Sequence, residues 1–256
     1  MIARKARPSA AVRGIRVTGA KMTDTLDGRH VVVTGGTGAL GGAVVGKLLE
    51  QGAICHVPNA HAAAPAHFPF PAHERVRLAH NVDLADPAKV DAFYASVTDL
   101  WASIHLAGGF TAAPVEKIEP ASFAEMMDTN ARTTFLCCRA AIRSMLESSV
   151  SGRIVNVTAR AGLDLRRGSG MVAYAASKAA VAAMTVAMAE ELKGKGILVN
   201  AVAPSTLDTP ATRADMPAAD FGKWVSLEAA AEAIAYLASP ANLAMSGTLV
   251  PLYGRA

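Results

Sequence analysis

Two residues set four positions apart, Tyr174 and Lys178, fall near the start of a helical pattern running from Val172 to Leu192. That spacing puts a phenol and an ammonium on one helix face. An ammonium about 4 Å from a phenol contributes on the order of 4 kcal/mol at an effective dielectric of about 20, enough to lower a pKa of about 10 by up to about three units. The pair predicts a Tyr174 phenol that exchanges protons near neutral pH with Lys178 as its tuner.

A second chemical pattern lies far upstream. Val31-Val32-Val33 runs directly into Thr34-Gly35-Gly36-Thr37-Gly38-Ala39-Leu40-Gly41-Gly42 and then into a helical stretch. Strand, glycine turn and helix in that order suit a dinucleotide: glycines let backbone N–H groups approach a pyrophosphate, which sits at the positive end of the helix dipole. Gly35, Thr37, Gly38, Ala39, Leu40 and Gly41 are the expected cofactor contacts.

The elements that must position these groups alternate along the chain. Val- and Ile-rich runs near His30–Thr34, Ala53–Val57, Arg75–Ala79, Ala102–Ala107, Arg153–Thr158, Ile197–Val202 and Gly247–Leu252 read as strands. Helical patterns fall near Leu40–Glu50, Ala88–Ser96, Ala121–Glu147, Val172–Leu192 and Leu227–Ala238. Alternation of this kind predicts an α/β fold, a doubly wound, mainly parallel seven-stranded sheet of Rossmann type in three α/β/α layers. The Ala/His/Pro-rich stretch from Asn59 to His73 reads as a loop after the second strand.

Thr34–Gly41, Asn130 and Tyr174-Ala175-Ala176-Ser177-Lys178 together resemble the short-chain dehydrogenase/reductase family, over a span from about Gly28 to Gly254. Ala39 departs from the family pattern by taking the place of the middle glycine. The resemblance implies NAD or NADP as cofactor, and a catalytic set of Tyr174, Lys178 and Asn130 in which Tyr174 is the general acid; Tyr174 and Lys178 also count among the cofactor contacts, with Lys178 holding the nicotinamide ribose. It further implies cofactor contacts at Asp83 and Leu84 after the third strand, at Ala107 and Gly108 after the fourth, and at Pro204 and Thr209 after the sixth. Asn59 stands where the family places an acidic residue for the ribose hydroxyls, and no Arg or Lys replaces it, so neither NADH nor NADPH is singled out. His105 replaces the first asparagine of a family motif and reads as a structural hydrogen-bonding residue.

Aligning Asn156–Gly162 on its glycine puts Ala159 where the family keeps a serine that bonds the substrate oxygen. Either Thr158 substitutes after a register shift, or the substrate needs only Tyr174. Within the family, alanine at this place is similar to quinonoid dihydropteridine reductase, whose substrate is a conjugated pterin. Ala107-Gly108-Gly109-Phe110 and the Thr206–Pro210 and Met216–Phe221 runs are similar to it as well, which adds Phe110 to Thr158 and Ala159 as expected substrate contacts. The resulting expectation is hydride transfer to a small oxidised substrate, a pterin- or quinone-like heterocycle. The alternatives are a 3-ketoacyl-type carbonyl reductase and a dinucleotide-binding protein without turnover. Ser205–Trp224 reads as a substrate lid.

Composition narrows the partners. With 52% hydrophobic and 18% charged residues among 256, and a mean hydropathy of +0.27, the chain has ample material for a buried core. The net charge of +4 comes from the first 21 residues, which hold six basic side chains and no acid; from Met22 onward 19 basic residues face 21 acidic ones. Residues 1–21 read as a disordered basic extension and 22–256 as one domain with no preference for nucleic acid. No run of 18 uncharged apolar residues suggests a membrane span, and the expected location is cytoplasmic. Three cysteines, two of them adjacent, argue for reduced buried thiols, and the histidine spacing offers no metal site. The apolar patterns at 133–146 and 172–192, which the family uses for self-association, predict a homodimer or homotetramer.

Overall fold

The computed structural model describes residues 25–255; the basic extension expected over residues 1–21 lies outside them. Seven strands form: β1 (His30–Thr34), β2 (Ile54–Pro58), β3 (Val76–Ala79), β4 (Leu100–His105), β5 (Arg153–Val157), β6 (Leu198–Pro204) and β7 (Leu249–Leu252). All pair in parallel, in the order β3-β2-β1-β4-β5-β6-β7. The order reverses between β1 and β4, and in such sheets the crevice beyond the strand carboxyl ends at that point is where ligands bind.

The helices are α1 (Ala39–Glu50), α2 (Pro87–Ala95), α3 (Pro120–Met126), α4 (Thr133–Glu147), α5 (Arg160–Leu163), α6 (Val172–Glu191), α7 (Pro210–Asp215) and α8 (Leu227–Ala238). They cover both faces of the sheet, which is why the strands read as continuous apolar runs. Side chains alternate across the pleat: Val31, Val33, Ile104 and Val155 pack with Val44, Leu48, Ile234 and Leu237 of α1 and α8. Val32, Leu100 and Ile154 pack on the opposite face with Phe93, Leu136, Ala141 and Leu192 from α2, α4 and the end of α6. Each such fully buried Val, Leu, Ile or Phe contributes about 1.5–3 kcal/mol relative to exposure. All three cysteines are free and buried, and burial pushes the thiols of Cys55 and Cys137 up to about 12.

The structure corrects the single helix expected over Ala121–Glu147. Between α3 and α4, residues Met127–Arg132 form a π-helical turn. No Gly or Pro lies in this turn. Instead Thr133 Oγ1 donates to Thr129 O at 2.6 Å and Thr134 Oγ1 donates to Asn130 O at 2.7 Å, satisfying carbonyls that the wider turn releases. The short helices α5 and α7 were not expected either, because four to six residues are too few for a periodic pattern.

Candidate active site

Tyr174 and Lys178 lie in the first two turns of α6, beside the carboxyl ends of β4 and β5. Lys178 Nζ donates to Val157 O at 3.0 Å, at the end of β5, and lies 5.9 Å from the centre of the Tyr174 ring. With the phenol neutral, burial and not charge coupling sets both groups in the resting state. Removal from water pushes Tyr174 up to about 12 and Lys178 down to about 8, because each loses hydration of its charged form. Tyr174 stays a protonated donor through the neutral range in this state, rather than titrating there.

Asn130 is fully buried in the π-helical turn, where the turn brings its side chain under the loop after β4. Its Oδ1 accepts from Gly109 N at 2.9 Å, and its Nδ2 donates to Gly109 O at 3.1 Å and Ser177 Oγ at 3.0 Å. Ser177 in turn donates to Tyr174 O at 2.8 Å. Asn130 thus ties the Gly108–Gly109 loop to the backbone of Tyr174, and its amide is saturated by the protein. Sequence reasoning passed over Ser177, although it sits three residues from Tyr174, the spacing at which a serine hydroxyl reaches back along a helix. Gly108 runs close over this cluster: a Cβ there would fall 2.5 Å from Asn130 Oδ1 and 3.4 Å from Lys178 Nζ.

The two readings offered for the missing serine now separate. Thr158 is buried and its Oγ1 donates to Lys178 O at 2.6 Å, so its hydrogen serves the α6 backbone in this structure. Ala159 holds an extended backbone as the residue before α5. Phe110 sits edge-on to Tyr174 with ring centres 4.9 Å apart and is largely exposed at 63%.

The glycine turn closes against β4. Gly35 takes φ +66°, and a Cβ on it would lie 2.7 Å from Ala107 N. Leu106 N donates to Thr34 O at 3.1 Å, which joins the two loops. Gly41 rests its Cα on the turn itself, where a Cβ would fall 2.6 Å from Gly36 Cα. Gly38 precedes α1 with no side-chain cap and no acid in the first turn, so the N–H groups of Ala39, Leu40 and Gly41 have no helical partner. Ala39 is not among the residues of positive φ and stands at the exposed helix start, so alanine costs this cradle nothing. Thr37, Gly38 and these N–H groups fit a dinucleotide pyrophosphate.

The remaining expected contacts ring the same edge. Asp83 follows β3 and accepts from Ala85 N at 2.9 Å through Oδ1, which shapes the turn, while Leu84 packs on the core below. Asn59, at the end of β2, is buried; its amide donates to His61 O at 3.0 Å and Ala63 O at 2.8 Å. Pro204 ends β6, and Thr209 caps α7 by accepting from Thr212 N at 3.0 Å. In the segment expected as a lid, Arg213 grips both oxygens of Asp208 at 2.5 and 2.7 Å.

His105 lies under the site, fully desolvated, and burial pushes it down to about 4, so it is neutral at pH 7. Its Nδ1 donates to Asn156 Oδ1 at 2.8 Å and its Nε2 accepts from Ser103 Oγ at 2.8 Å. Tyr94 donates to Ser103 at 2.8 Å, and Asn156 Nδ2 donates to Thr185 Oγ1 at 2.9 Å. The chain of bonds runs from α2 through β4 and β5 to α6, a structural role for His105.

Comparison with known proteins agrees with this architecture. The profile of the family described as short chain dehydrogenase matches residues 29–219. Galactitol 2-dehydrogenase of Rhizobium johnstonii is 35% identical over 248 residues, 88% of this chain and 93% of that protein. The 3-oxoacyl-[acyl-carrier-protein] reductase FabG of Vibrio cholerae is 28% identical, covering 90% of this chain and 97% of its own length. The crystal structure of gox2181 superposes with a TM-score of 0.81 at 27% identity, over 90% of this chain and 96% of that one. ElxO with NADP bound, at 22% identity, shares the fold with a TM-score of 0.80 over 88% of this chain and 97% of its own. By the profile match, the chain belongs to the short-chain dehydrogenase/reductase family and is an NAD(P)-dependent oxidoreductase.

Proposed function

We propose that the protein reduces a flat, conjugated carbonyl compound of the pterin or quinone type, with Tyr174 as the only side-chain proton donor at the substrate oxygen. The observation that carries this reading is the environment of Tyr174: Ala159 offers no hydroxyl, Thr158 has given its own to Lys178 O, and the Phe110 ring stands against the phenol. A substrate whose reduction restores conjugation needs less help from hydrogen-bond donors than a simple ketone does. An exposed aromatic face also suits a planar ring.

When bound, the nicotinamide supplies the hydride, so the substrate gains two electrons and one hydrogen from it and the second hydrogen as a proton. Tyr174 delivers that proton from its hydroxyl. Lys178, an ammonium below about pH 8, is placed on the same helix face to stabilise the phenolate that remains. Asn130 and Ser177 hold the Tyr174 backbone and the Gly108–Gly109 loop in fixed relation during transfer.

The names of the relatives favour a second reading, a carbonyl of the 3-oxoacyl type or a sugar alcohol. Absorbance of NADH and NADPH, followed with quinonoid dihydropterin, a short 3-oxoacyl thioester and, in the oxidative direction, galactitol, separates them. We expect kcat/KM for the pterin to exceed the others by about tenfold or more, one decade being about 1.4 kcal/mol of transition-state binding. Turnover of the thioester or galactitol without the pterin overturns the first reading in favour of the second.

The assembly we propose is a homodimer or homotetramer. Phe135 of α4 is 47% exposed and Val172 and Val186 of α6 are 44% and 45% exposed, apolar side chains that a second copy would cover. Light scattering at micromolar concentration should give two or four times the 26.4 kDa chain mass, and a monomer mass refutes the assembly.

A further inference from the structure

The Ala/His/Pro-rich segment between β2 and β3 takes no part in proton transfer, yet it folds back over the nucleotide end of the crevice. It contains no helix. Phe68 is buried in the core beside α1, and Phe70 lies edge-on to it at 5.9 Å. Pro69 and Phe70 rest on the glycines of α1, within 3.6 Å and 3.1 Å of where Cβ atoms of Gly42 and Gly46 would be. Anchored there, the segment carries His67 to the glycine turn, where its Nε2 donates to Thr37 O at 3.1 Å. A carbonyl only accepts, so Nε2 carries the hydrogen and the other ring nitrogen is left for a ligand.

The charge pattern of this corner is unusual for an adenosine site. From Gln51 to His73 there is no Asp or Glu, while His56, His61, His67 and His73 all occur. Asn59, at the strand end where a carboxylate would hold ribose hydroxyls, has its amide turned to the carbonyls of His61 and Ala63. The loop thereby holds His67 as an exposed imidazole against the Gly turn, with no anion among the loop residues to compete for it.

We infer that His67 is a specificity-determining residue for the cofactor: latched to Thr37, it receives the 2′-phosphate of NADP(H) and makes this chain prefer that form to NAD(H). A dianionic phosphate beside an imidazole favours its protonated state, in which the second ring nitrogen becomes a donor while the first keeps its bond to Thr37. The charge-assisted bond so formed has no counterpart with a ribose hydroxyl. This inference goes beyond the substrate reading and is independent of it, since it concerns binding alone.

Titration calorimetry of the full chain with NADPH, NADH, adenosine 2′,5′-bisphosphate and 5′-AMP tests it without any substrate. One charge-assisted hydrogen bond corresponds to about a tenfold change in affinity, so NADPH should bind about tenfold more tightly than NADH, and the bisphosphate should outbind 5′-AMP to the same extent. His67→Gln, which keeps a donor for Thr37 and removes the charge, should erase the NADPH advantage and leave NADH affinity unchanged. His67→Ala should do the same if the loop is held by Phe68 and Phe70. Equal or tighter binding of NADH by the parent chain overturns the inference. Equal weakening of both nucleotides in His67→Gln also overturns it, by making His67 a latch only.

Discussion

Tyr174→Phe lowers kcat by about 10²- to 10⁴-fold, the usual weight of a positioned general acid, and leaves dinucleotide affinity unchanged. The reason is local: Ala159 and the committed hydroxyl of Thr158 leave no second donor beside the phenol to take over. The ring itself remains, still edge-on to Phe110, so the substrate site keeps its shape. Steady-state kinetics beside a fluorescence titration with NADPH distinguishes this from general damage, since an equal loss of binding would mean that the phenol serves packing. The parent enzyme should show a matching pH dependence. Tyr174, held at about 12, stays protonated across the working range, whereas Lys178 loses its proton at about 8. Reductive kcat/KM of the free enzyme is therefore flat on the acid side and falls above about pH 8 as the ammonium that stabilises the phenolate disappears. A profile that rises through pH 8 contradicts this assignment.

Gly41→Ala abolishes measurable dinucleotide binding and lowers the melting temperature. The added Cβ would overlap the backbone of the glycine turn, 2.6 Å from Gly36 Cα as well as against Gly35 O, and neither is the flexible end of a side chain. Overpacking of this kind costs about 1–3 kcal/mol, and in a chain of this length each kcal/mol lowers Tm by roughly 2–4 °C. Relief can come only by opening the turn, which moves the N–H groups of Ala39 and Leu40 away from a phosphate. Ala39→Gly is the informative control, because that position is exposed at the helix start. It should bind the dinucleotide like the parent and lose only about 0.5–1 kcal/mol of stability. Differential scanning calorimetry with and without NADPH reads both quantities, and normal binding by Gly41→Ala would show that the turn has room the structure denies it.

The strands and most helices were legible because each is a local pattern: Val31–Val33 and Ile154–Val155 announce a buried strand by composition, and Tyr174 with Lys178 announces one helix face by spacing. The π-helical turn was not, since the bonds that hold Asn130 come from Gly109 and Ser177, 21 and 47 residues away. The direction of the Thr158 hydroxyl likewise depends on how α5 and α6 pack, so sequence left it open between two roles. The pKa of Tyr174 was misjudged for the same reason: a pair distance along a helix can be read from spacing, but desolvation cannot. The contact between His67 and Thr37 crosses 30 residues of chain through a loop with no periodicity, and it was invisible before the fold was in hand.

The hydrogen-bond line through His105 has a consequence for how the sequence can drift. Each member from Tyr94 to Ser103, His105, Asn156 and Thr185 hands its hydrogen to the next in one direction, and each is buried. Changing one member alone strands its neighbour's polar atom in the interior, an expense of about 1–3 kcal/mol that no water can refund. An apolar or re-matched replacement of several at once avoids that penalty. These five positions are therefore expected to behave as a single inherited unit: alleles that reach a different solution must pass through a weakened intermediate, which makes the interior of the sheet more historically fixed than the reaction it supports.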